Sequence, residues 1–240
     1  MLLEEVLRIR RKHSKMGGRK LYFKLESAIT QLTGGMGRDK FFDFLRAQEL
    51  LVIRKRKYAV TTQSFQRFHK YKDHYNGIVW TRPNQVWVSD ITYLRVVNDF
   101  HYLFLVTDAY SRKIVGWQLG NTLETKWAVA ALRMAMSQCS DLTSLVHHSD
   151  RGFQYCSREY AKLLEGNGAT LSMGQVGNCY DNALAERVNG ILKDEYLLDN
   201  EFTTPSDALN ATSQAVKLYN EDRPHLSLNM QTPASVHKAA

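Results

Sequence analysis

At Pro83 the chain changes period, and that change narrows its possible folds more than any other feature. Before it, apolar residues recur at helical spacing. Leu21, Leu25, Ala28, Ile29 and Leu32 lie between breaks at Gly17-Gly18 and Gly34-Gly35-Met36-Gly37, and Phe41, Phe42, Leu45 and Leu50 mark another amphipathic helix. From Val86 the pattern is that of strands, over 86–97, 102–107 and 114–119, with Asn98-Asp99 as the turn between the first two. A helix is predicted over 124–138, a short buried strand over 142–147, a helix over 157–165, a strand over 170–172 and a long helix over 181–197. Three strands in a meander followed by alternating helix and strand predict a mixed α/β sheet of the ribonuclease H type with flanking helices. The domain boundaries follow: 1–75 helical, 76–84 a linker, 85–200 the sheet domain, and 201–240 a helical tail opened by Thr204-Pro205.

Charge divides along the same line. Residues 1–80 hold 18 Lys and Arg against 7 Asp and Glu, whereas residues 81–240 hold 14 against 17. The basic part reads as two helices about a turn followed by Arg54-Lys55-Arg56-Lys57, a helix-turn-helix-like unit suited to nucleic acid. Arg38 and Lys40 on its second helix, with that basic run, are its candidate DNA contacts. A solvated basic surface with no partner has the same charge pattern. The chain has 240 residues, 44% of them hydrophobic, enough for a sizeable core, and no apolar run of membrane-spanning length. Nor does its start resemble a secretory signal. Cys139, Cys156 and Cys179 form neither a Cys-x-x-Cys pair nor an even set, so free thiols are expected rather than disulfides or zinc.

Three acids stand in distinctive surroundings. Asp90 lies within the first strand, on one face with Val86 and Val88, where a carboxylate is costly unless paired or metal-bound. Asp150 directly follows the short buried strand, and Arg151-Gly152 turn the chain there. Glu186 lies on the long helix, whose buried stripe is expected to be Leu184, Val188, Ile191 and Leu192; Asn182, Glu186, Asn189 and Lys193 share a polar face. Three converging carboxylates suit two divalent cations and phosphoryl transfer. Read from the residues alone, Asp108, Asp181 and Glu195 remain competitors.

The ordered motifs resemble those of insertion-sequence transposases of the IS-three family, specifically the OrfB catalytic subunit, and more distantly retroviral integrases. They are Trp87-Val88-Ser89-Asp90-Ile91-Thr92-Tyr93, Asp108-Ala109-Tyr110-Ser111-Arg112, His148-Ser149-Asp150-Arg151-Gly152-Phe153-Gln154-Tyr155, Gly177-Asn178-Cys179-Tyr180-Asp181-Asn182-Ala183, and Leu192-Lys193-Asp194-Glu195. Tyr219-Asn220 with Arg223-Pro224-His225 completes the set, which covers nearly the whole chain. The resemblance implies an integrase catalytic core whose acidic triad falls on Asp90, Asp150 and Glu186, with 35 residues between the last two. It implies two Mg²⁺ or Mn²⁺ ions held by that triad, Asp90 bridging. DNA end cleavage would be followed by strand transfer without a covalent protein–DNA intermediate. Double-stranded DNA is then the partner, with Arg151, Asn182 and Lys193 as further candidate contacts, in a homo-oligomer assembled on DNA in the bacterial cytoplasm. Members of the family also work with, or fused to, the upstream OrfA product, which supplies another helix-turn-helix and a zipper. A chain beginning at Met1 without heptads is expected to be the catalytic half. The alternatives are a noncatalytic DNA-binding regulator and a purely hydrolytic nuclease of the same fold.

Overall fold

The computed structural model describes residues 1–53, 71–75, 77, 79–174 and 183–239. Arg54, Lys55, Arg56, Lys57 and Asn182 lie outside the described residues, as do Cys179 and Asp181.

Three helices come first: α1 (Leu2–Lys12), α2 (Gly18–Thr33) and α3 (Arg38–Ala47). Glu4 and Glu5 in the first turn of α1 and Arg10, Arg11 and Lys12 in its last complement the helix dipole. Gly34 ends α2 in the left-handed region at φ 70°, a conformation that favours glycine. Val6, Ile9, Leu21, Leu25, Ile29, Phe41 and Leu45 form a closed apolar cluster of these helices.

The sheet has five strands in the order β3-β2-β1-β4-β5. They are β1 (Val86–Val96), β2 (Asp99–Asp108), β3 (Ile114–Gly120), β4 (Val146–Ser149) and β5 (Thr170–Met173). The first three pair antiparallel, and β1-β4 and β4-β5 pair parallel. Asn98 makes the β1–β2 turn at φ 61°. The strand expected over 142–147 is displaced. Leu142 and Leu145 are buried but form a turn closed by Leu145 N–H on Leu142 C=O at 3.0 Å, with Asp141 Oδ1 accepting from Thr143 N at 2.9 Å. Burial explains those leucines without a strand.

One face of the sheet packs on α4 (Thr125–Met136) and α5 (Arg158–Glu165) around Trp87, Phe104, Leu132 and Tyr160. α4 lies very close to β3: a Cβ on Gly116 would sit 2.1 Å from the carbonyl oxygen of Ala131. Backbone cannot yield as a flexible side chain would. Gly116→Ala is therefore expected to cost about 3 kcal/mol through overpacking, read as a lowered Tm in thermal melts.

The opposite face carries α6 (Ala183–Glu195) and α7 (Pro205–Glu221). Leu94, Leu103 and Leu105 pack there with Val188, Leu192, Val216 and Tyr219. The segment expected as a tail is thus part of the sheet's core. Thr204 caps α7, its Oγ1 accepting from Asp207 N at 3.1 Å, and Pro205 begins the helix. Thr232 and Pro233 repeat the device for α8 (Pro233–Lys238). Among the described residues no helix is long and apolar enough to cross a membrane.

Candidate active site

The register of the parallel strands places two of the three acids. Val86, Trp87, Val88 and Ser89 lie opposite Val146, His147, His148 and Ser149, so the next rung holds Asp90 and Asp150. Neighbouring strands lie about 4.8 Å apart. Asp90 is half-buried on the face that α6 covers, whereas Asp150, just past the end of β4, is exposed. Ala185 packs with Val86 and Val88, which brings the following residue, Glu186, to the same end of the sheet with its side chain exposed.

Each strand acid is oriented by a donor. Asn189 Nδ2 donates to Asp90 Oδ2 at 2.7 Å, and the Gly152 amide donates to Asp150 Oδ1 at 2.9 Å. A Cβ at Gly152 would meet that oxygen at 3.0 Å, so the turn fits closely around it. Burial pushes the Asp90 carboxyl up to about 7; the negative charge of Asp150, then that of Glu186, adds to the shift, while hydrogen bonds from Ile91 N–H and Asn189 oppose it. Although part of Asp150 reaches solvent, its carboxyl loses water to the surrounding chain, which raises it, against the Gly152 amide. The charges of Asp150 and Glu186 thus reach Asp90, although among the described residues no three His, Cys, Asp or Glu side chains are grouped closely enough to hold a metal ion. All three acids offer hard oxygen donors, the chemistry that suits Mg²⁺ or Mn²⁺. Among the described residues the buried Oδ1 of Asn189, on the side chain that holds Asp90, has no hydrogen-bond partner.

Two of the competing acids have structural duties. Asp108 is fully buried and accepts from Asn84 N, Ser111 N and Ser111 Oγ, each at 2.7 Å. Glu195 is held by Lys20 and Arg223. His147 sits on the opposite face of the sheet, 2.8 Å from Ser89 Oγ and 2.9 Å from Tyr160 Oη, and burial, then His148, lowers it to about 3, so it is neutral.

The expected DNA contacts are dispersed. Arg38 and Lys40 are exposed at the start of α3, with Arg38 paired to Asp39 at 2.8 Å. Arg151, beside Asp150, is half-buried, and among the described residues its Nε has no hydrogen-bond partner. Lys193 lies over the Tyr93 ring, 3.9 Å from the centroid, and 3.9 Å from Asp199. The polar face foreseen for α6 is only partly correct, because Asn189 is buried. Its role went unrecognised in the sequence; the available signal was an amide one helical turn beyond Glu186, bordering Val188 and Leu192. Tyr155 gives no such signal in the sequence: among the described residues its buried hydroxyl has no hydrogen-bond partner, and the charges of Asp150 and Asp90 help push it upward, after burial and Tyr160.

Known proteins share this fold. The Integrase core domain family model matches residues 81–179, and a second model of the same description matches 167–233. The 31 kDa protein of insertion element IS600 from Shigella sonnei is 34% identical over 202 residues, covering 83% of this chain and 74% of the relative. A putative transposase of IS986/IS6110 from Mycobacterium tuberculosis is 37% identical over 147 residues, 59% of this chain and 53% of its own length. InsK of IS150 from Escherichia coli K12, a putative transposase, is 33% identical over 153 residues, 64% and 54% of the two chains. The chain thus spans about half the length of several curated relatives. Among solved structures, the HTLV-2 integrase catalytic core in complex with magnesium superimposes with a TM-score of 0.51 at 23% identity, over 65% of this chain and 97% of that one. The integrase of a simian T-cell lymphotropic virus intasome gives 0.55 at 18%, over 97% and 74%. At those identities the likeness is one of fold. The sheet, the two integrase-core matches and the IS600 relative together establish that the chain belongs to the IS-three family of insertion-sequence transposases, within the integrase-core superfamily.

Proposed function

We propose that the chain cuts DNA at the ends of an insertion sequence and joins the freed 3′ hydroxyl to a target strand, with Asp90, Asp150 and Glu186 as its catalytic residues. The observation that supports this is the β1–β4 register, whose last pair, Ser89 and Ser149, directly precedes Asp90 and Asp150, on the sheet that α6 with Glu186 covers. When bound, two divalent cations supply activation of the attacking oxygen and neutralise charge on the leaving one. Asp90, anchored by Asn189, Asp150, anchored by Gly152, and the exposed Glu186 would hold such ions through their carboxylate oxygens. Both displacements are in-line attacks at phosphorus, so one carboxylate set serves both. The magnesium of the HTLV-2 core supports the choice of ion.

The remaining assignments rest on position and charge. α1 to α3, with Arg38, Lys40 and the basic run 54–57, bind the terminal repeats, and Arg151, Asn182 and Lys193 contact phosphate nearer the cut. The domains are 1–75, 76–84, 85–200 and 201–240, the last lying against the third. Double-stranded DNA is the partner, a homo-oligomer brings two ends together in the cytoplasm, and the OrfA product joins or fuses to this chain.

Incubating the purified chain with Mn²⁺ and a labelled duplex carrying its own element end tests the reading. Joined products support transposition. Nicks alone assign a hydrolytic nuclease, and binding without any product assigns a regulator. Asn189→Leu is expected to slow cleavage about 10- to 100-fold, the usual cost of losing a group that orients a metal ligand, with the melting curve little changed. An unaltered single-turnover rate removes Asn189 from that role.

A further inference from the structure

The two acids that close α6 and α7 point to a device beyond the triad. Glu195 is the last residue of α6, and Asp222 caps α7. Lys20 Nζ donates to both Glu195 oxygens, at 2.6 and 2.9 Å, and Arg223 donates Nε and Nη2 to the same pair at 2.8 and 2.9 Å. Lys20 and Arg223 are only 5% and 3% exposed. The Lys15 amide reaches Glu195 C=O at 3.3 Å, satisfying one of the carbonyls that a helix end leaves free. Beside this pair, His13 lies 3.2 Å from Tyr196 Oη and 2.7 Å from Asp222 Oδ2, and Lys24 donates to Asp222 Oδ1 at 2.6 Å and to its carbonyl at 2.9 Å.

These bonds join the basic helical unit to the sheet domain, and among the described residues no apolar cluster spans the two. Among the described residues the cluster of α1 to α3 includes nothing beyond Leu51, and the sheet's clusters include nothing before Tyr71. Apolar packing is tolerant of sliding. A carboxylate gripped through both oxygens by two buried cations permits few arrangements. Nine residues of helix, about 13 Å at 1.5 Å per residue, separate Glu195 from Glu186.

We propose that the Glu195–Lys20–Arg223 cluster, with the His13–Asp222–Lys24 trio at its rim, fixes the helical unit to the far end of the active-site helix. The unit's grip on DNA then sets which phosphodiester reaches the carboxylates. The cut position rests on the transposase reading, whereas the attachment does not. The residues position DNA and touch no reacting atom. The chemistry also gives purposes to the Lys-Asp-Glu and Arg-Pro-His motifs that catalysis leaves unused.

The test uses the full chain in two variants. Glu195→Gln strikes the buried centre; Lys24→Glu sets two acids against each other at the rim, where misfolding is less of a risk, and Lys24→Glu/Asp222→Lys is its rescue. Small-angle scattering without DNA reads the attachment, and mapping Mn²⁺-dependent cuts on the element-end duplex to single nucleotides reads the register. The expected result is a larger radius of gyration in both variants and scattered cuts. Cutting at the wild-type phosphodiester falls about a hundredfold, the loss that a displacement of about 1 Å brings, while nicking of unrelated duplex stays within about threefold. The rescue restores both readouts. An unchanged radius of gyration in Lys24→Glu overturns the attachment, and a larger radius with unshifted, equally sharp cuts overturns the positioning. If the wild-type chain cuts nothing, the transposase reading fails and scattering alone decides the attachment.

Discussion

Asp150→Asn leaves the chain folded and able to bind DNA but abolishes both end cleavage and strand transfer. Asn keeps the size of the side chain and can still accept from the Gly152 amide, so the turn at 150–152 persists. It removes the negative charge that a divalent cation needs beside Asp90. If both displacements use the same carboxylates, as proposed, both rates are expected to fall together, by about a thousandfold or more, on the order of 4 kcal/mol of barrier. Gel-shift affinity for the element end stays near wild type, since the basic helices lie elsewhere in the chain. Strand transfer by the variant from a pre-cut end would remove Asp150 from the chemistry.

The second large effect is on stability. Glu195→Gln is expected to cost about 3–5 kcal/mol, because it strips the shared anion from two buried cations, and to lower Tm by about 10 °C. The pH dependence follows from the same contacts. Burial works against the Glu195 carboxylate, but Arg223 and then Lys20 outweigh it and hold the group down to about 2. Its contribution is therefore complete above the ordinary value of 4.5 and is lost as the pH falls through about 2. Lys20 shifts the other way from what its pairing alone would give: burial and Arg223 lower it to about 8. The acid limb is decided by the carboxylate, on which two cations converge. Urea titrations from pH 5 to pH 2 should show wild type losing more stability than Glu195→Gln; parallel losses would refute the linkage.

The period change at Pro83 was enough to predict the meander and the alternation after it, because strand residues facing a core must alternate and Asn98 tolerates the left-handed turn. Asp90 and Asp150 were recognisable since each interrupts or ends an apolar strand. Three features were not legible. The run at Leu142 is apolar because it is buried, whatever its backbone does. Asn189 reads as a surface residue until Asp90 is seen across from it. Glu195 finds its partners 175 and 28 residues away along the chain, distances that no local pattern encodes. α7 was read as a tail for a related reason: its apolar stripe has meaning only against β1 and β3.

That placement of α7 has a consequence in time. In synthesis α1 to α3 precede the sheet, and among the described residues their core is self-contained. The sheet follows, yet Leu94 and Leu103 stay open on one face until Val216 and Tyr219 emerge. A product ending before α7 would carry the strands but leave that apolar face open to water, so the sheet's fold waits on a segment made well after its last strand.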